Sequence, residues 1–194
     1  MRVVCLMSAA AILIAGCSAE RIVTTDEPFV ATPTSTTTEP PPAPNSAHLI
    51  DAFDYVAHPA GSAVYYFTTP SGRWACAIVP RDKAGCQSAT APQSEMNITG
   101  EPDTVRNAAG EQVAPNAVVI ERDDDPRFVA LAHPEFVSEG AKVLPFNRIL
   151  AVAGFRCNVQ EAGVSCMSEA TGKGFTFSPE GFAPKYTEVP VNAP

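Results

Sequence analysis

The sequence is poor in positive charge, and this scarcity limits the partners it could bind. It has 13 Lys and Arg residues against 21 Asp and Glu residues in a chain of 194, giving a formal net charge of −8. No stripe of basic residues interrupts the acidic composition. Because a phosphate backbone is bound mainly through clustered Lys and Arg, we expect no nucleic acid among the partners.

The apolar stretch at the N-terminus is too short to cross a membrane. Residues 3–15, VVCLMSAAAILIA, follow Arg2 and number 13, whereas a spanning helix needs about 20 residues. A positive residue followed by a short apolar run is typical of a secretory signal peptide. We therefore predict that residues 1–16 form a signal peptide that is absent from the mature protein.

The end of this segment resembles the lipobox of bacterial lipoproteins. Ile14, Ala15 and Gly16 precede Cys17, in the order of one apolar residue, two small residues and a cysteine. The resemblance implies cleavage before Cys17 and lipidation of its sulfur, with acyl chains such as palmitate contacting the membrane. It also implies that the protein is located on the outer face of the cytoplasmic membrane. The alternative is an ordinary signal peptide that happens to contain a cysteine.

Motifs of several common enzyme classes are missing as well. The chain has no Gly-x-Ser-x-Gly nucleophile elbow, no phosphate loop and no dinucleotide-binding fingerprint. Its only histidines are His48, His58 and His133, and none forms a His-x-x-x-His metal pair. Ser71 belongs to a Pro-Ser-Gly stretch that is typical of a turn. We expect no cofactor, and an enzyme is less favoured than a binding protein.

The composition changes abruptly after the signal segment. Residues 31–45, ATPTSTTTEPPPAPN, contain five Thr and five Pro and show no apolar period. Such a segment buries too little apolar surface to offset the entropy cost of ordering. We predict a disordered tether over residues 17–45, a single β-rich domain over residues 46–190 and a short tail over residues 191–194.

Four cysteines remain once the signal peptide and Cys17 are set aside. They lie in two similar stretches, GRWACAIVPRDKAGC at 72–86 and AGFRCNVQEAGVSC at 153–166. In each, apolar residues alternate before a polar turn, as in a β-hairpin, and an exported protein favours disulfides. Each hairpin should therefore carry its own disulfide. The two predicted disulfides are Cys76–Cys86 and Cys157–Cys166.

The turns of the two hairpins differ in length. Pairing Cys76 with Cys86 centres the chain reversal on Arg81, so this hairpin needs a turn with an odd number of residues. Pairing Cys157 with Cys166 centres the reversal between Glu161 and Ala162, which gives an even-numbered turn with Gly163 available for a positive φ. A zinc site and a crossed pairing between hairpins are the alternatives. Structural zinc usually takes cysteines about two to four residues apart, but nine and eight residues intervene here.

The remaining patterns indicate a mainly β fold, or a β-rich α+β fold. Segments rich in β-branched or aromatic residues occur at 62–69, 117–122, 148–153 and 173–178. A single short N-terminal helix is predicted over residues 46–58, which precede Pro59. We expect an antiparallel sheet or small sandwich with two disulfide-stapled hairpins. The polar residues 88–115 should form long loops.

One cluster of acidic residues could bind a metal. Asp123 and Asp125 in ERDDDPRF, at 121–128, could supply oxygen ligands to Ca²⁺. The glycine and the downstream glutamate of a calcium loop are missing, so we predict a solvated turn, with these two residues as weak candidates for a metal site. Carboxylates here could also serve glycoside hydrolysis.

Several stretches resemble a family of actinobacterial, often mycobacterial, exported proteins. The matching stretches are FTTPSGRWACAI, VLPFNRILAVAGFRCNV, GVSC and TGKGFTFSPEGF. Many members are lipoproteins, and the family has no established activity. Two positions depart from the pattern: Lys173 stands where histidine is frequent, and Asn147 where glycine is frequent. The resemblance thus implies a fold and a cellular location but no catalytic activity.

The interpretation of function follows from these features. We predict a lipid-anchored, extracytoplasmic protein of the cell envelope, a non-catalytic module that binds an envelope protein, a wall polymer or a lipid. The alternative is a cell-wall hydrolase or accessory enzyme that uses the acids near Asp123–Asp125. A purely structural surface protein is the third possibility.

Overall fold

A computed structural model describes residues 45–194, which form two β-sheets packed face to face with a shared core. The predicted signal peptide, Cys17 and the tether up to residue 44 lie outside the described residues. The strands are β1 (Val56–Ala57), β2 (Val64–Thr68), β3 (Trp74–Val79), β4 (Lys83–Ser88), β5 (Val105–Arg106), β6 (Gln112–Val113), β7 (Ala117–Glu121), β8 (Arg127–Val129), β9 (Lys142–Val143), β10 (Arg148–Val152), β11 (Phe155–Gln160), β12 (Gly163–Ser168), β13 (Gly174–Ser178) and β14 (Gly181–Ala183).

The two large sheets are built mainly from antiparallel neighbours, which confirms the predicted fold class. The first sheet runs β1-β2-β3-β4-β7-β8, and β9 adds a parallel pairing with β2. The second sheet is a meander in chain order from β10 to β14. The short β5–β6 hairpin forms a separate two-stranded sheet.

Both predicted disulfides are confirmed, and each joins directly opposite residues of one hairpin. The Cα atoms are 4.1 Å apart in both pairs. In the first hairpin three residues separate the paired Val79 and Lys83, and the middle one, Arg81, has a φ of +62°. In the second, two residues separate Gln160 from Gly163, whose φ is +140°. The odd and even turns are thus as predicted.

The two disulfide hairpins are structural counterparts. An aromatic residue lies two positions before the first cysteine and pairs with a serine two positions after the second cysteine. These pairs are Trp74 with Ser88 and Phe155 with Ser168. All four cysteines are fully buried in the one core between the sheets. The near-repeat in the sequence therefore encodes a matching hairpin at the centre of each sheet.

Aromatic packing joins the sheets across this core. The ring of Trp74 on β3 meets the ring of Phe177 on β13 edge to face, with centroids 5.1 Å apart. Apolar residues on alternating positions of both sheets complete the core, as expected for a sandwich. The aromatic residues that the sequence places on strands serve mainly this packing.

The predicted N-terminal helix is reduced to a single 3₁₀ turn, Ala52–Tyr55, capped by Asp51 rather than Ser46. Pairing with the sheet edge accounts for the difference. Leu49 forms a bridge with Ile149, and the Ile50 amide donates to the Ile149 carbonyl at 3.1 Å. These backbone bonds along β10 replace the helical bonds that the local pattern favours.

The long predicted loops of residues 88–115 contain only the β5–β6 hairpin, but they are anchored more firmly than expected. Met96 and Ile98 are buried in the inter-sheet core. Both of their backbone amides donate to the carboxylate of Glu101 at 3.2 Å. Two apolar side chains thus hold an otherwise polar segment against the sandwich.

An irregular segment covers the outer face of each sheet. Over the first sheet, the fully buried Phe136 centres a second, smaller core, and Gln87 accepts hydrogen bonds from the amides of Glu135 and Phe136. Over the second sheet, the C-terminal segment (residues 184–194) is held by the Asn158 amide, which donates to the Thr187 carbonyl at 2.9 Å.

Two further contacts fix the C-terminal segment in place. Val189 is fully buried, and its carbonyl accepts a hydrogen bond from the side chain of Asn45 at 2.7 Å. Nδ1 of His48 lies 3.2 Å from an Arg148 guanidinium nitrogen and accepts a hydrogen bond from it, because arginine can only donate. The ring proton is therefore on Nε2, which donates to the carbonyls of Pro190 and Val191. The N- and C-terminal ends of the described chain therefore lie together beside the second sheet.

Candidate functional site

A cleft with a volume of about 710 Å³ lies at the edge of the C-terminal segment. Three separate segments line it: the turn after β7, the β12–β13 connection with the end of β12, and the start of the C-terminal segment. The lining residues are Asp125, Pro126, Met167, Gly172, Lys173, Gly174, Pro184, Lys185, Tyr186 and Glu188. We refer to it as the C-terminal cleft.

Most charges of the C-terminal cleft have a partner within the domain. Lys173 Nζ lies 3.0 Å from Asp125 Oδ1. Glu188 Oε1 lies 4.0 Å from Nη1 of Arg156, which is buried beneath the C-terminal segment. Lys185, in contrast, makes no ion pair with any residue between 45 and 194. Lys185 is thus a lining cation without an ion-pair partner among these residues, whereas Arg156 is shared by two acids, Glu169 and Glu188.

The hydroxyl group of Tyr186 is buried next to the Asn158 side chain, with which it makes no hydrogen bond of good geometry. Burial raises the pKa of this hydroxyl well above the ordinary value, and the nearby Asn158 side chain opposes only part of that effect. The group therefore stays protonated at neutral pH and has a proton to donate. Because the hydroxyl is closed off from solvent, it does not present this proton to the open space of the cleft.

Arg156 lies next to the cleft and connects β11 to the start of the domain. It is 5% exposed, it pairs in register with Met167 on β12, and its Nη1 donates to the Asn45 carbonyl at 2.7 Å. Its Nε lies 3.4 Å from a Glu169 carboxylate oxygen but has no hydrogen bond of good geometry among residues 45–194. A buried cation is thus compensated by acidic side chains at the rim.

The predicted acidic candidates do not assemble a metal site. No group of three or more His, Cys, Asp or Glu residues within 45–194 is arranged to hold an ion. Asp125 lines the cleft, but its side chain is 84% exposed and pairs with Lys173. Arg127 pairs with Glu121 at 2.6 Å and with Asp124 at 3.4 Å. The geometry is that of the solvated, charge-compensated turn that the sequence predicts.

The histidines and Ser71 share no hydrogen bond within residues 45–194. His48 holds the C-terminal segment, whereas His58 and His133 are exposed. Ser71 Oγ is 3.0 Å from Thr69 Oγ1 and accepts from the Arg73 amide, within a smaller cleft of about 310 Å³. Ser71 therefore stabilises the turn between β2 and β3, as the sequence indicates.

Sequence reasoning missed Lys185 and Tyr186, which are central to the C-terminal cleft. They follow the last predicted strand in the stretch PKYTEVP, which has no strand or helix period. A lysine beside an aromatic residue in a proline-flanked segment was the one available signal. Only the packing of this segment on the second sheet reveals their role.

Comparison with models of known protein families, with curated proteins and with solved structures finds no match for this chain. Within residues 45–194, no helix has the length and apolar character needed to traverse a bilayer. The two buried disulfides indicate folding in an oxidising, extracytoplasmic compartment. The site itself must supply any more specific functional assignment.

Proposed function

We propose that this protein is a lipid-anchored, non-catalytic binding module of the cell envelope and that its ligand binds in the C-terminal cleft. The observation that carries the proposal is a cleft of about 710 Å³ with a largely apolar lining that also contains Lys185, which makes no ion pair among residues 45–194. A concave, largely apolar surface with a few convergent polar groups is typical of a ligand site.

The anchor is the second part of the proposal. Acylation of Cys17 would attach the chain to the outer face of the cytoplasmic membrane. The 29 residues from 17 to 45 would reach about 90 Å in an extended polyproline II conformation, and about 30 Å on average as a flexible coil. The domain could then bind an envelope protein, a wall polymer or a lipid while remaining close to the membrane.

Binding is favoured over hydrolysis because of the surroundings of the acidic residue Asp125. A glycosidase needs one carboxylic acid that is held protonated in a shielded site and a second carboxylate facing it. Asp125 is largely exposed and pairs with Lys173, so it does not lie in a shielded site. The cleft therefore supplies charge and apolar contact to a ligand more readily than it supplies a proton.

Site-specific photo-crosslinking in the native envelope tests the binding site. A photoreactive amino acid would replace Lys173, which lines the cleft, in one full-length variant. In the matched control it would replace Gln112, which is exposed on the β5–β6 hairpin and outside the cleft lining. We expect a discrete adduct from position 173 only. Identical adduct patterns, or none from position 173, would contradict the proposal.

Mass spectrometry of the mature protein tests the anchor. We expect the N-terminal peptide from the membrane fraction to begin at Cys17 and to carry a diacylglyceryl group. The Cys17→Ala variant should lose this modification and leave the membrane fraction. Recovery of an unmodified Cys17 in the wild-type protein would overturn this part of the proposal.

A further inference from the structure

A second cleft, with a volume of about 320 Å³, is lined by turns of both sheets and shares no lining residue with the C-terminal cleft. Its lining consists of Arg81, Arg122, Ala153, Gly154, Phe155 and Ala170. The two arginines are the only charged residues of this lining, although the chain as a whole has a formal net charge of −8. We refer to it as the arginine cleft.

Hydrogen bonds hold the backbone of the two arginines close together. The Arg122 amide donates to the carbonyl of Asp82, the residue after Arg81, at 3.1 Å. The Arg81 amide donates to the Ala153 carbonyl at 3.2 Å and so joins the turn of the first disulfide hairpin to a turn of the second sheet. The Ser168 hydroxyl donates to the Arg122 carbonyl at 2.6 Å. The backbone that carries both guanidinium groups is therefore fixed before any ligand binds, which lowers the entropy cost of binding.

Neither arginine of the cleft is neutralised by an ion pair with any residue between 45 and 194. The acidic residues adjacent in the chain to the lining residues lie outside the lining; they are Asp82, Glu121, Asp123 and Glu169. Glu121 pairs instead with Arg127. Glu169 pairs with Arg156. The lining of the arginine cleft thus presents two positive charges and no negative charge.

The backbone conformation of Arg81 is a second, independent observation. Its φ of +62° lies in the left-handed region, which is unfavourable for a residue with a side chain. Glycine would adopt this conformation in the turn between Val79 and Lys83 without that cost. Backbone strain of this kind is concentrated at binding and active sites. The turn alone therefore does not explain an arginine here, whereas contact of its side chain with a ligand does.

Two guanidinium groups that line one cleft are suited to an oxyanion. Each guanidinium can donate two parallel hydrogen bonds to the oxygens of a phosphate or a carboxylate. A phosphate monoester carries a charge of about −1.5 to −2 at neutral pH, whereas a carboxylate carries a single charge. Phosphate is therefore the oxyanion that matches the charge of both arginines.

We infer that the arginine cleft is a second binding site of this protein and that it binds a phosphate group through Arg81 and Arg122. The phosphate is either free inorganic phosphate or the monoester of a small molecule, and the experiment below separates the two. The inference concerns a different cleft from the proposed function and does not depend on the ligand of the C-terminal cleft.

Calorimetric titration of the purified full-length protein, in a neutral detergent without phosphate, tests the inference. The probes are inorganic phosphate and glycerol 3-phosphate, and acetate is the control with a single charge. We expect saturable one-to-one binding of at least one phosphate probe, with a dissociation constant below about 1 mM. Acetate should bind at least about tenfold more weakly, and added salt should weaken the binding of phosphate.

The two phosphate probes identify the source of the phosphate group. Tighter binding of glycerol 3-phosphate than of inorganic phosphate assigns the site to a monoester. Equal or tighter binding of inorganic phosphate assigns it to the free ion. Both outcomes support the inference.

Substitutions of single arginines make the test specific for the cleft. Arg81→Gln and Arg122→Gln each remove one guanidinium group, and Arg106→Gln is the matched control because Arg106 is exposed on β5, outside the cleft lining. We expect the affinity for phosphate to fall about tenfold in each cleft variant and to stay unchanged in the control.

The Arg81→Gly variant separates binding from folding. Glycine adopts a positive φ without strain, so the temperature of thermal unfolding should be no lower than that of the wild type. The affinity for phosphate should nevertheless fall about tenfold, because the guanidinium group is lost. A purely structural role of Arg81 predicts the reverse, a lower unfolding temperature with unchanged affinity.

Failure of both phosphate probes to bind would overturn the inference, and so would equal affinity for acetate. Unchanged affinity for phosphate in either Arg81→Gln or Arg122→Gln would also overturn it. None of these results affects the photo-adduct at position 173, which tests the C-terminal cleft.

Discussion

Gly85 on β4 lies directly against the ring of Phe136, which covers the outer face of the first sheet. A Cβ atom at Gly85 would overlap that ring and the Val118 carbonyl oxygen. Close approach of the covering segment to the strand therefore requires glycine at this position. The contact explains how a segment without regular structure can seal one face of the sandwich.

The Gly85→Ala variant should consequently be destabilised by about 1–3 kcal/mol, because the added methyl group overpacks the contact with Phe136. Gly181→Ala is the matched control, since a Cβ at Gly181 meets no atom within 4 Å. Chemical denaturation followed by the fluorescence of Trp74, the one tryptophan of the chain, measures both. Equal stability of the two variants would contradict the packing argument.

Removing either disulfide should cost a similar amount of stability. The bridges close loops of sequence separation 10 and 9, and each should contribute about 2.5–3 kcal/mol by restricting the unfolded chain. Double replacement by alanine, at Cys76 and Cys86 or at Cys157 and Cys166, followed by denaturation, measures the loss. Peptide mapping of unreduced protein should recover only the two within-hairpin pairs, and any crossed pair would refute the assignment.

Release of the C-terminal segment should open the C-terminal cleft. Val189 is fully buried and Val191 is 73% exposed, so Val189→Asp would bury a charge whereas Val191→Asp would not. We expect Val189→Asp to increase amide exchange over residues 184–191 and to abolish the photo-adduct at position 173. The Val191→Asp variant should behave as wild type. Unchanged exchange in Val189→Asp would argue against the segment as a wall of the cleft.

Stability should fall at alkaline pH in a manner that depends on Tyr186. Burial raises the pKa of its hydroxyl in the folded state, so the unfolded chain loses this proton first, from about pH 10 upward. Above that pH the unfolded state binds fewer protons, and stability declines by up to about 1.4 kcal/mol per pH unit for one such group.

The Tyr186→Phe variant isolates this effect. Its stability should decline less steeply above about pH 10 than that of the wild type, because the variant lacks the buried hydroxyl. Tyr55 and Tyr66, whose hydroxyl pKa values are also raised by burial, remain in both proteins and contribute equally. Parallel declines in denaturation curves across this range would rule out the assigned role of Tyr186.

The local parts of this fold could be predicted from the sequence. Alternating residues, a polar turn and a cysteine at each end determine both hairpins within 15 residues, so the pairing of Cys76 with Cys86 follows from near neighbours. Prediction failed where distant contacts override local pattern. Residues 46–58 have a helical period, yet Leu49 pairs with Ile149, which lies 100 positions away.

The C-terminal cleft could not be predicted for the same physical reason. Its walls come from three segments, near Asp125, Lys173 and Tyr186, whose proximity depends on how the two sheets and the final segment pack. The buried apolar anchors Met96 and Ile98 were missed because isolated side chains in a polar stretch carry no period. Fold class is encoded by repeating patterns, whereas this site depends on tertiary packing.

The hydrogen bonds of Asn45 have a mechanical consequence. A force that pulls on the chain before Asn45 acts first on two hydrogen bonds of Asn45: that of its carbonyl with Arg156 and that of its side chain with the Val189 carbonyl. The two disulfide hairpins come later in the chain and bear the force only after these bonds break. Single-molecule stretching should show an early, weak rupture of this junction, and a single rupture at high force would refute the idea. Tension applied to the chain ahead of Asn45 would then loosen the wall of the cleft before it disturbs the sandwich, so that force on the N-terminal side and the shape of the cleft become linked.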